Sequence, residues 1–134
     1  MSIRHIKTEE WEARLKEIFD RLDDYLEDKY AERLNLHPRR PRRGETVNKE
    51  HSGLFNVGAS FSMGYGSNFG PGYVVDILIA SDEPVKDELK KQIAEEVRLL
   101  LAQELKKEFP YQQLEVAWDG RVLKIFGDLS LGRV

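Results

Sequence analysis

The spacing of apolar residues changes three times along this chain, and that alternation constrains the fold more than any motif does. Trp11, Leu15, Ile18, Phe19, Leu22, Leu26 and Tyr30 recur at steps of three and four, the period of one helix face. Phe55, Val57, Ala59, Phe61, Met63 and Tyr65 then alternate with Asn56, Gly58, Ser60, Ser62 and Gly64, the period of a strand with one apolar face. Helical spacing returns in Val85, Leu89, Ile93, Val97, Leu101 and Leu105, with Leu100 beside the row. It gives way to two short runs, QLEVAW and RVLKIF. The pattern predicts an α+β fold in two layers, in the order α-β-β-α-β-β. Two long helices should pack on one face of a four-stranded, mainly antiparallel sheet.

The expected segments form one domain: a helix in 1–36, a basic Pro/Arg linker in 37–53 and a long hairpin in 54–80. A second helix in 82–109, a second hairpin in 112–127 and a tail in 128–134 complete it. Thr8 can cap the first helix, with Glu9, Glu10 and Glu12 in its first turn. Asp23, Asp24, Glu27 and Asp28 lie off its apolar face and read as a solvated stripe. Ser81 or Asp82 can cap the second helix, with Pro84 in its first turn. Asp119-Gly120 is a strong two-residue hairpin turn. It sets Trp118 opposite Arg121, Val116 opposite Leu123, Leu114 opposite Ile125 and Glu115 opposite Lys124.

Composition removes several kinds of chemistry. The chain has 134 residues and no cysteine, so disulfides, zinc thiolates and thiol nucleophiles are excluded. His5, His37 and His51 lack metal-ligand spacing, and no G-x-S-x-G is present. Neither a metal nor a cofactor is expected. No apolar run is long enough to span a bilayer, and the N-terminus lacks the apolar stretch of a signal peptide. The expected location is cytoplasmic, with no membrane partner.

Candidate sites cluster in the middle of the chain. Arg39, Arg40, Arg42 and Arg43 sit on a Pro-containing linker expected to be extended, where guanidinium groups suit phosphate or nucleic acid. Lys49 and His51 could add to that patch. The competing reading pairs the arginines with the acidic first helix. Gly66 and Gly70 belong to the Gly-rich turn GYGSNFGPG, whose N–H groups could approach an anion. The wider run MGYGSNFGPGYV resembles the Gly-rich loop of protein kinases with one residue inserted. It lacks the V-A-I-K lysine, H-R-D and D-F-G that such a family requires. A plain turn is the simpler reading. Asp76, alone in an apolar run, is a possible functional carboxylate, or a group that bonds Asn56, Ser60 or Ser62 across the hairpin or lies on a solvated sheet face.

Asn56, Ser60 and Ser62, with Gly58 and Gly64, form an uncharged strip that reads as an interface. Two functional readings follow. One is a non-enzymatic, homo-oligomeric binding module that contacts itself through this strip and an anion, phosphorylated ligand or nucleic acid through the arginines. The other is a small-molecule or nucleotide-handling enzyme, its site between the Gly-rich turn and the Arg-rich linker, with Asp76 or His51 as acid–base group.

Overall fold

The structure, a computed structural model, describes residues 3–46, 52–64 and 69–127. Helix α1 (Ile3–Tyr30) is followed by strands β1 (Phe55–Ser62) and β2 (Gly72–Ile79). Helix α2 (Asp87–Glu108) then leads to β3 (Leu114–Asp119) and β4 (Val122–Gly127). All strand pairs are antiparallel, in the order β1-β2-β4-β3. This is the α+β fold that the alternating periods predict.

Both helices bury their apolar rows on the same face. Trp11, Ile18, Leu22 and Leu26 of α1 join Ile93, Val97, Leu101 and Leu105 of α2 in one core. The sheet contributes Phe55, Val57, Tyr73, Val75, Val116, Leu123 and Ile125. Phe55 and Val57 pair with Ile79 and Ile77, Tyr73 and Val75 with Ile125 and Leu123, and Val116 with Ile125, so one face of the sheet is continuous core.

Several local expectations are corrected. Helix α1 starts at Ile3, placing Thr8 inside it, because no proline or glycine interrupts the preceding residues. Helix α2 starts at Asp87, leaving Val85 outside. Lys86 occupies the N-cap with extended dihedrals and no side-chain cap bond. Ser81 instead forms a bridge with Leu36. The linker is not extended. Arg40 N donates to His37 O (3.0 Å), Glu45 N to Arg42 O (3.0 Å) and Gly53 N to Pro41 O (2.9 Å), which folds it into turns.

The second hairpin also differs. Asp119 pairs with Val122, so the loop residues are Gly120 and Arg121. Gly120 has φ +65, and among the described residues no non-glycine has positive φ. That pattern fits a type II′ turn, with glycine first, over the expected type I′ turn. Val116 consequently faces Ile125, and Trp118 faces Leu123. Lys124 faces Ala117, not Glu115. The shift is two residues, an even number, so each side chain keeps its expected face.

Candidate functional site

The sheet's outer face, away from the helices, is half roofed. Phe69 and Gly70, just before β2, lie over β4. Phe69 stacks on Phe126 with centroids 4.2 Å apart and planes 12° from parallel. Gly70 O accepts a hydrogen bond from Lys124 Nζ. Gly70 has φ +73, and a side chain on Gly64 would collide with the Gly70 carbonyl, so glycine is required where these backbones cross. Lys124 is buried, at 2% exposure, with Asp119 Oδ2 at 3.5 Å. The roof closes over this lysine.

The β1–β2 half of the same face lies open. Its pairs are Asn56 with Leu78, Gly58 with Asp76, Ser60 with Val74 and Ser62 with Gly72. Leu78 is 49% exposed, and Asp76 and Ser60 are exposed. Ser62 Oγ accepts from Gly64 N at 3.1 Å. Asp76 therefore meets solvent on this face.

The arginines divide. Arg43 pairs with Asp24 of α1. Arg40 donates from Nε to Gly53 O (2.6 Å) and from Nη2 to Ser52 O (3.2 Å). Arg39 and Arg42 are exposed. Lys49, His51 and Gly66 lie outside the described residues. Arg40 and Arg43 meet the chain at the start of β1, whereas Gly70 follows its end. Eight residues of strand, about 26 Å at 3.3 Å per residue, lie between. Arg40 and Arg43 are thus not brought together with Gly70, and the remaining residues of the expected site between the turn and the linker include Lys49, His51 and Gly66, outside the described residues.

The acids of α1 are not the solvated stripe that their spacing suggests. Asp23 is buried at 2% exposure, and its Oδ1 accepts from Val57 N at 2.7 Å. One turn on, Glu27 Oε2 accepts from Leu54 N at 2.8 Å. Desolvation raises the Asp23 pKa from 3.8 to about 7, against the Val57 hydrogen bond and Arg43, which lower it. Asp20 and Glu27 raise it further. Asp23, Glu27 and Lys124 are the polar groups that sequence reasoning missed. The only available signals were the i,i+4 spacing of the two acids and the lysine between Leu123 and Ile125.

Among the described residues, no cluster of His, Cys, Asp or Glu could hold a metal ion. Among them, too, no helix is long and apolar enough to cross a membrane. The molecule is thus a small α+β domain with helices on one sheet face and a half-roofed opposite face. A protein-family model described as "Uncharacterised protein" matches residues 6–127, and the chain belongs to that family. The match ends where β4 ends. The chain is also 37% identical over 121 residues to an "Uncharacterized protein" of Borreliella burgdorferi, covering 90% of this chain and 94% of that relative. No solved structure matches it.

Proposed function

We propose that the protein is a non-enzymatic module that associates with copies of itself through the open half of its outer sheet face. The observation that carries this reading is the contrast between the two halves. Phe69 and Gly70 cover the β4 half, while beside it Ser60 and Leu78 are exposed and Asn56 and Ser62 half-buried, with no second roof among the described residues. Asp76 is the one charged residue on that half. A strip with so little charge suits a packed contact better than a solvated surface. Light scattering on Ser60→Arg tests it: the variant should have a lower assembly mass than the wild type. An unchanged mass sinks the reading.

The exposure of Arg39 and Arg42 favours a second contact, with a phosphorylated ligand or nucleic acid. Among the described residues, neither guanidinium has an ion-pair partner. Thermal shifts with inorganic phosphate and with RNA at two salt concentrations test this. Arg39→Ala with Arg42→Ala should abolish the shift, and an unchanged shift would rule the contact out.

A further inference from the structure

Strand β3 is an edge of the sheet. Its two-residue turn makes Asp119 and Val122 a hydrogen-bonded pair. Antiparallel alternation then directs the main-chain groups of Ala117 and Glu115 toward β4, and those of Leu114, Val116 and Trp118 outward. Among the described residues, nothing is bonded to these outward groups. Such an edge is a template for another strand. Beside it stands Trp118, 41% exposed, a residue type enriched at contact centres.

The flanking helix supplies the identity of the partner. Helix α2 runs antiparallel to β3. Glu95 Oε2 accepts from Trp118 Nε1 (3.4 Å) near one end, and Leu105 and Lys106 line a groove with Leu114 and Glu115 near the other. Glu95, Leu99, Ala102 and Lys106 follow at steps of four, three and four, which places them on one face of α2. Leu99 is 49% exposed. The stripe is acidic at one end, where Glu95 also holds Arg98 through its other oxygen, basic at the other and apolar between. Reversed against itself, it sets Glu95 against Lys106 and Leu99 against Ala102.

We propose that a second copy of this chain pairs antiparallel with β3 across a two-fold axis, joining the two sheets into one. The symmetry demands a self-complementary surface, and the α2 stripe is one. The contact is separate from the outer sheet face, so either can fail alone.

The test is made on the full chain in the Ser60→Arg background, which removes the outer-face contact. Light scattering should still give a dimer. Adding Lys106→Glu should raise the dimer dissociation constant about tenfold, since the change acts at two symmetry-related pairs. Adding Glu95→Lys to that variant should restore it. Lys106 is exposed, so Lys106→Glu reads association even where the swap disturbs the Glu95–Trp118 contact. Amide exchange followed by NMR should show Val116 and Trp118 protected at high concentration and unprotected on dilution. Protection that does not change with concentration overturns the proposal, because either solvent or the chain itself then occupies the edge. A Ser60→Arg protein that is monomeric also overturns it. A wild-type mass that Ser60→Arg leaves unchanged, with Val116 protected, retires the outer-face reading alone.

Discussion

Each edge strand of the sheet lies beneath a helix that runs antiparallel to it, β1 under α1 and β3 under α2. The two edges are finished in opposite ways. At β1, Asp23 takes the outward N–H of Val57, and Glu27 takes Leu54 N just before the strand. Glu12, Lys16 and Asp20 line a groove of about 320 Å³ along the same strand. Reversed against itself, that row sets Glu12 against Asp20 and Lys16 against Lys16, which is self-repelling. The α2 row beside β3 is self-attracting, and no side chain among the described residues caps that edge. Inward-reaching charges are a known way to blunt a sheet edge. The difference teaches that edge protection here is local to a few acids of one helix and is not a property of the sheet.

The largest effect that can sharpen this comparison is the pH dependence of the β1 guard. Asp23 titrates near 7 in the folded protein, against 3.8 as its ordinary value. The folded state therefore binds this proton more tightly than the unfolded chain. The resulting stabilisation is complete below about pH 4 and is lost as pH rises through 7. At about 1.4 kcal/mol per pH unit, the loss reaches about 4 kcal/mol by pH 8. Asp23→Asn keeps an acceptor for Val57 N but cannot ionise. Urea unfolding at pH 5 and pH 8 should show the variant gaining on the wild type as pH rises. An equal difference at both values would mean that the carboxyl is not held protonated.

Removing the guard outright should cost less. At pH 5, Asp23→Ala leaves Val57 N buried without a partner, a loss of about 1–3 kcal/mol. It also uncovers the β1 edge, so light scattering should detect species heavier than the wild-type assembly. Glu27→Ala should cost about 1 kcal/mol, because Leu54 N lies at the strand entrance, and it should leave the assembly mass unchanged. If Glu27→Ala proves the more damaging, the guard sits at the wrong position.

The core and the helix–hairpin order were legible because periods of 3.6 and 2 survive any detail of the turns. Trp11, Leu15, Ile18, Phe19, Leu22, Leu26 and Tyr30 are buried on the face their spacing assigns, as are Val116, Leu123 and Ile125, while Trp118 on the same sheet face is exposed at its end. The register of the second hairpin was not legible. Asp-Gly favours one turn and Gly-Arg permits another, and the β2–β4 pairing decides between them. The guard was hidden for a different reason. Asp23 and Glu27 look like half of an ordinary charged stripe until β1 is placed beside them by the folded linker. Nor could sequence show that Lys124, expected to oppose Glu115, is instead sealed by Gly70, more than fifty residues away.

The smallest effect separates the structural arginines from the exposed ones. Arg43 ties the linker to Asp24, next to the guard, while Arg42 faces solvent. One Arg43 nitrogen, Nη1, is buried without a partner among the described residues, and this offsets part of what the ion pair contributes. Arg43→Ala should therefore lower stability by only about 1 kcal/mol, and Arg42→Ala by less than about 0.5 kcal/mol. Thermal unfolding at one pH measures both. Because Arg43 also lowers the Asp23 pKa, Arg43→Ala should shift the pH at which stability is lost to a higher value. Arg42→Ala should leave that value in place. If the two variants behave alike, the linker arginines act as one solvated patch, and the guard at β1 depends on α1 alone.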